Sequence, residues 1–167
     1  LQRAVLERDT QKTKVAAGEL VEKFGSTVYA QLGALTAAKA LYEAGDLKSA
    51  QAQLNWVADN GKDEIKDLGR LRLATVLLDE KSYDEALKAL SASHGAGFDG
   101  RFAELKGDVL TAQGKKAEAV AAYKLVLAKL DEGAKGGKTK NSLQAQEVNA
   151  PYREMVQQKL DSLGDVK

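Results

Sequence analysis

Cysteine is absent from this chain, so neither a disulfide framework nor a thiolate metal site is available to it. That absence fits a reducing or an oxidising compartment equally well. Proline occurs once and aromatic residues make up only 5%, a mixture that favours helices. An excess of charge is missing too. Lys and Arg total 25 against 24 for Asp and Glu, a formal net charge of +1, so no overall attraction to nucleic acid or anionic lipid is implied. No apolar run approaches the ~18 to 20 residues needed to cross a bilayer, and no basic-then-apolar leader opens the chain. The chain is therefore expected to be soluble as numbered. Because it starts at Leu1 directly inside a helix-like pattern, it is also expected to be a piece of a longer protein.

What is present is enough for a core. A chain of 167 residues with 44% hydrophobic residues can bury about two-thirds of its unfolded surface. Gly45-Asp46-Leu47 with Ala50 aligns with Lys81-Ser82-Tyr83 with Ala86, and with Gly114-Lys115-Lys116 with Ala119. The alanines lie 36 and 33 residues apart, bracketing the ~34 residues of a tetratricopeptide repeat. The expected fold is therefore all-α: a tetratricopeptide-like right-handed superhelix of antiparallel helix hairpins with a C-terminal capping helix, spanning residues 1–167 as a single domain. Ala50, Ala86 and Ala119 are expected where the two helices of each hairpin cross closely.

Residues 27–60 read as the first hairpin, with Ala34, Ala37, Ala38 and Leu41 on one helix and Ala50, Leu54 and Val57 on the other, a 3.6-residue stripe. Gly45 suits the left-handed end of the first helix and Asp46 the cap of the second. Residues 63–93 form the second hairpin, where Ser82 and Glu85 have the spacing of a capping box. Residues 101–130 form the third, with Gly107 where a side chain would hold the helices apart. Ahead of these, residues 1–25 read as a degenerate hairpin whose second helix carries Val15, Leu20, Val21 and Phe24. Beyond them, residues 131–149 read as a flexible loop, Gly/Lys-rich over 131–141. A capping helix is expected over 151–163, with Pro151 in its first turn. Such a cap keeps the end of a repeat stack from exposing an apolar face.

Several segments together carry a family likeness: Phe24-Gly25-Ser26-Thr27-Val28-Tyr29-Ala30, Leu54-Asn55-Trp56-Val57, Gly69-Arg70-Leu71-Arg72-Leu73-Ala74, Tyr83-Asp84-Glu85-Ala86-Leu87, Leu105-Lys106-Gly107-Asp108-Val109-Leu110 and Lys159-Leu160-Asp161-Ser162-Leu163. In these the chain resembles the YfgM family over nearly its whole length. Members are bacterial inner-membrane proteins with a short cytoplasmic segment, one transmembrane helix and a periplasmic tetratricopeptide-like domain, and this chain resembles that last part. The resemblance implies an ancillary subunit of the Sec translocon that works with a membrane-anchored periplasmic isomerase-type chaperone on exported, unfolded clients. It implies a single-pass inner-membrane protein with this domain in the periplasm, reaching the membrane only through an N-terminal transmembrane helix missing here. The Gly/Lys-rich stretch 131–141 is longer than the family's usual link. No catalytic residues carry over.

The remaining motifs lack the parts that chemistry needs. Gly95-Ala96-Gly97-Phe98-Asp99-Gly100 has the glycines of a dinucleotide turn, but helical spacing rather than a strand precedes it. Gly133-Ala134-Lys135-Gly136-Gly137-Lys138-Thr139 falls one residue short of a P-loop. His94 is the sole histidine, without metal-ligand partners at helical spacing, and reads as a solvated loop residue. Carboxylate pairs such as Asp79-Glu80 and Asp84-Glu85 read as wet helix faces. The expectation is a non-enzymatic domain with no catalytic residue, cofactor or metal, and no nucleic acid partner.

What remains is a protein-binding surface. In such stacks the first helix of each pair lines the concave face, and the alignment puts Leu32, Leu35, Lys39, Tyr42, Leu68, Leu71, Thr75 and Leu78 there, followed by Arg101, Glu104, Asp108 and Thr111. The bland reading is that several of these leucines only pack between helices. Trp56, on a second helix, reads as a packing residue. An alternative role is a regulatory adaptor that bridges signalling proteins and has no link to export.

Overall fold

The computed structural model describes residues 1–135 and 140–164. Every regular element among them is helical: α1 (Gln2–Leu6), α2 (Thr10–Phe24), α3 (Val28–Glu43), α4 (Leu47–Asn60), α5 (Asp63–Asp79), α6 (Tyr83–Leu90), α7 (Asp99–Ala112), α8 (Lys116–Lys135) and α9 (Lys140–Ser162). A single 3₁₀ turn, Ala96–Phe98, precedes α7. Where the sequence reading places one domain, the chain divides into two compact units, Leu1–Gly95 and Ala96–Lys167.

Four turns between helices share one backbone construction. In each, one residue adopts a left-handed conformation: Arg8 (φ 53°), Gly45 (80°), Lys81 (60°) and Gly114 (74°). Its N–H bonds back to the carbonyl of Val5, Tyr42, Leu78 or Thr111, and the following N–H reaches Ala4, Leu41, Leu77 or Leu110. This Schellman arrangement satisfies carbonyls that a helix end would otherwise leave free. The next helix then opens from a cap: Asp9 accepts the Lys12 N–H and Asp46 the Ser49 N–H. The degenerate first pair, α1 and α2, is thus built like the later hairpins.

One expected cap does not form. The Ser82 side chain makes no capping hydrogen bond at the start of α6. That helix instead carries Asp84 and Glu85 in its first turn, where negative charge favours the free amides of a helix N-terminus.

Small residues set how closely the helices pack. Ala50, Ala86 and Ala119 have no exposed surface. A Cβ added to Gly69 would lie 2.6 Å from Val57 of α4, and one added to Gly107 would lie 2.5 Å from the Tyr123 ring of α8. In the first unit, Ala34, Ala37, Ala38 and Leu41 of α3 form one core with Leu54 and Val57 of α4 and Leu73, Ala74, Val76 and Leu77 of α5. In α2, Thr13 and Ala17 are buried, while the apolar Val15 and Phe24 are about half exposed.

The end of the chain differs most from the sequence reading. Helix α8 continues to Lys135 and α9 already begins at Lys140, so the expected flexible loop 131–149 is helical on both sides, and residues 136–139 lie outside the described residues. Pro151 lies inside α9 rather than in a first turn. The physical reason is propensity. Ala128-Lys129-Leu130-Asp131-Glu132 and Gln144-Ala145-Gln146-Glu147 are mostly good helix formers, and they outweigh the scattered glycines as signals. The expected cap 151–163 is the latter part of this longer helix, with Val156 fully buried.

Candidate docking surface

The shared turns fix a common register for the helices that precede them. Measured back from the left-handed residue, Lys39, Thr75 and Asp108 are equivalent on α3, α5 and α7, as are Leu35, Leu71 and Glu104.

In the first unit α3 and α5 flank a cleft of about 350 Å³, lined by Ala38, Lys39, Tyr42 and Glu43 of α3, Leu54 of α4, and Arg72, Thr75 and Val76 of α5. Of the residues nominated from sequence, Lys39, Tyr42 and Thr75 line it. Leu32 is 47% exposed, and Leu68, Leu71 and Leu78 are half-buried. Leu35 is only 3% exposed; it packs in the core and offers no side-chain surface to a partner. On a helix a nominal face is wider than the strip that stays open once neighbours pack against it.

Polar groups ring the cleft. The Tyr42 hydroxyl donates to the Asp79 carboxylate, linking α3 to α5; that bond, with some burial and the nearby charge, raises the phenol above its ordinary pKa. Lys39 Nζ lies 3.7 Å from Glu43 in an exposed i,i+4 pair, which contributes little to stability. Arg72 is half-buried, and its Nη1 makes a long 3.4 Å contact to the Leu35 carbonyl. No carboxylate among the described residues pairs with it. Arg72, Glu43, Ala38, Leu54 and Val76 were absent from the sequence list. Neighbours such as Leu71 and Arg72 are told apart only by the rotation of α5, which packing sets.

In the second unit Glu104 and Asp108 are already engaged, while Arg101 and Thr111 stay exposed. Glu104 Oε2 accepts from the Tyr152 hydroxyl at 2.8 Å, and Lys159 Nζ bonds Glu104 at 2.9 Å and both oxygens of Asp108 at 2.8 Å. The Tyr123 hydroxyl of α8 also donates to Asp108, at 2.7 Å. Arg101 is exposed, with its guanidinium 5.3 Å from the centre of the Tyr152 ring, within cation–π range. Thus α9, packed beside α8, reaches across with Tyr152 and Lys159 to two of the charged residues that the sequence assigns to a partner. Burial works to lower the Lys159 pKa, but hydrogen bonds and charge from Asp108 and Glu104 outweigh it and hold the ammonium above its ordinary value. Burial, reinforced by Asp108, pushes Tyr123 up to about 12. Tyr152 is raised by burial and by its bond to Glu104.

The other motifs sit elsewhere. Before the Gly95–Gly100 segment comes helix α6, and Asp99 and Gly100 already belong to α7, so no strand-to-helix phosphate turn exists there. His94 Nδ1 lies 3.0 Å from the Ala92 carbonyl. Trp56 is half-buried, and its ring would lie 3.3 Å from a Cβ at Gly25, a packing position away from the cleft. The Gly133–Thr139 motif falls partly outside the described residues. Among the described residues no His, Asp and Glu cluster is arranged to hold a metal ion.

Residues 1–165 match the family described as Tetratricopeptide repeat-like domain. The chain is also similar to proteins named Ancillary SecYEG translocon subunit. The one from Neisseria gonorrhoeae is 35% identical over 146 residues, covering 87% of this chain and 62% of that protein. The Haemophilus influenzae protein is 32% identical over 115 residues, 68% of this chain and 56% of its own length. The Escherichia coli protein is 34% identical over 106 residues, 61% and 52% respectively. The chain thus spans between 52% and 62% of these relatives. Among solved structures, the MamA RS-1 ArsTM double mutant superposes with a TM-score of 0.59 at 18% identity, covering 97% of this chain and 89% of that one, a likeness of fold. The resemblance read from the sequence segments and the all-α, tetratricopeptide-like class are both borne out.

Proposed function

The chain belongs to the tetratricopeptide repeat-like domain family, and we propose that it is the protein-docking domain of an ancillary subunit of the Sec translocon. The observation that carries this reading is the cleft between α3 and α5, edged by exposed Tyr42 and Thr75 and by the charged Lys39, Glu43 and Arg72, in a chain similar to proteins named for that role. The domain stands on the periplasmic side of the inner membrane and binds the translocon, a membrane-anchored isomerase-type chaperone, or the unfolded segment of an exported client. It works by docking rather than catalysis and uses no cofactor. Among the described residues no helix is long and apolar enough to cross a membrane; the anchor in this reading is a single transmembrane helix upstream of the chain.

Photo-crosslinking tests the reading. A benzophenone amino acid at Thr75, carried in the full-length protein in its native membrane, is expected to give adducts with translocon subunits or an associated chaperone. The same probe at exposed Lys48 on α4 is expected to give none. Equal labelling from both positions, or none from Thr75, removes the assignment.

A further inference from the structure

Helix α1 is short for the hairpin it opens. It has five residues, against 16 in α3, 17 in α5 and 14 in α7, although its turn at Arg8 has the backbone of the later ones. So short a helix holds poorly by itself, and Leu1, its N-cap, makes no side-chain capping bond. Val5 lines one cavity with Thr10 and Thr13 of α2, and Leu1 lines another, of about 240 Å³, with Glu19, Leu20, Lys23 and Phe24. The two helices therefore run antiparallel. At Leu1, α1 has reached the level of Leu20, one turn short of the end of α2.

The next hairpin shows what a longer first helix covers. An added Cβ at Gly33 of α3 would meet Leu20 of α2, as one at Gly69 of α5 would meet Val57 of α4. Gly33 and Gly69 each stand 12 residues before the left-handed Gly45 and Lys81, so α2 and α3 pack in the same register as α4 and α5. Exposure at matched positions nevertheless differs. Val57 is fully buried, and Ile65 and Leu68 are half-buried. Of their counterparts, Leu20 is half-buried, Tyr29 is 81% exposed and Leu32 is 47% exposed. Phe24, beyond the reach of α1, is 52% exposed. The difference is the N-terminal half of the preceding first helix. In α3 that half extends past the end of α4, where Gln31 accepts the Lys62 N–H.

We propose that the residues directly ahead of Leu1 in the full-length protein continue α1 as a helix and lay an apolar face on Leu20, Phe24, Tyr29 and Leu32. A first helix as long as α3 begins about ten residues ahead of Leu1, a further ~15 Å of helix. Leu35, Ala34 and Ala30, buried in α3, lie 10, 11 and 15 residues before Gly45. The same steps back from Arg8 fall three, four and eight residues ahead of Leu1, where small or apolar side chains are expected. The relatives are longer than the span this chain covers. An attached segment is favoured over a separate chain because the strip continues the axis of α1, and a tethered helix is spared most of the entropy cost of association. The strip thus belongs to the protein itself, and a stiff helix rather than a slack linker leads out of the domain. This holds whether or not the cleft between α3 and α5 docks a translocon subunit.

Disulfide scanning in the full-length protein in its native membrane tests the assignment, and the absence of cysteine from residues 1–167 leaves that span free of competing thiols. Glu19 and Lys23 are exposed, border the cavity beside Leu1 and stand one turn apart. Glu19→Cys and Lys23→Cys are each combined with a single cysteine at every one of the ten or so residues ahead of Leu1. Both are expected to bridge within the chain, since facing helix positions come within disulfide reach. The best partner of Lys23→Cys should lie about three or four residues farther upstream than that of Glu19→Cys. Lys48→Cys, exposed on α4, should bridge none of them. Bridging without that shift, bridging as strong from Lys48→Cys, or none from either position overturns the continued helix. Bridged dimers on non-reducing gels assign the strip to a second copy and overturn it as well. The upstream codons give an independent check: proline or charged residues three, four and eight places ahead of Leu1 would also overturn it.

Discussion

The ammonium of Lys159 on α9 lies 2.8 Å from both carboxylate oxygens of Asp108 on α7. With Glu104 at 2.9 Å, one cation answers two carboxylates on one face of α7. The last helix is therefore held by charge as well as by the burial of Val156. Lys159→Met leaves Glu104 and Asp108 without their cation and is expected to destabilise the second unit by about 1–3 kcal/mol, the scale for breaking a half-buried pair. Hydrogen exchange should report it as faster exchange over residues 152–162, with α3 and α4 unchanged. Unchanged exchange in α9 would show the contact to be energetically idle.

The same cluster predicts loss of stability in alkali. Lys159, Tyr123 and Tyr152 all hold their protons more tightly when folded than their ordinary values of 10.5, 10.0 and 10.0. Their contribution is complete below those values and is lost as pH rises through the folded ones, which for Tyr123 is about 12. Denaturation midpoints measured from pH 8 to 12 are expected to fall above about pH 10. In Tyr123→Phe the fall should be shallower. An identical slope in that variant would assign the alkaline transition elsewhere.

Two glycines in helices should respond in opposite directions to alanine. At Gly107 a Cβ would lie 2.5 Å from Tyr123, so Gly107→Ala is expected to cost about 1–3 kcal/mol as the ring and α8 are pushed away. Gly18, in α2, has open space around its added Cβ, so Gly18→Ala should stabilise by about 0.5–1 kcal/mol through helix propensity alone. Urea titration of both variants checks the pair. Equal effects would mean that the close approach at Gly107 is absent.

Lys81 adopts the left-handed conformation that glycine fills at Gly45 and Gly114. A residue with a Cβ pays strain there that glycine avoids. The side chain is exposed, so Lys81→Gly is expected to raise stability by about 0.5–1 kcal/mol, less than the full strain because glycine also loosens the unfolded chain. Thermal melting that instead falls would place the value of Lys81 in contacts of its side chain.

The repeat itself was legible because it is local. Gly45 and Asp46 announce their turn through backbone freedom and side-chain capping, which need no distant partner, and the alanine spacing reports helix contact directly. Gly107 was legible for the same reason, since a glycine inside an apolar helical stripe marks close approach. The turns at Arg8 and Lys81 carry no such residue, so their left-handed geometry shows only in the backbone. The capping box at Ser82 has the right spacing and still does not close.

Residue types and their periods by themselves determined an all-helical, tetratricopeptide-like fold and nominated the helices from which a docking face is proposed. Tertiary structure alone decided that Leu35 packs inward, that Arg72 enters the cleft, and that α9 covers Glu104 and Asp108. A period says which residues share a helix face. How far that helix rotates, and what comes to rest on it, follows from packing between segments far apart in the chain.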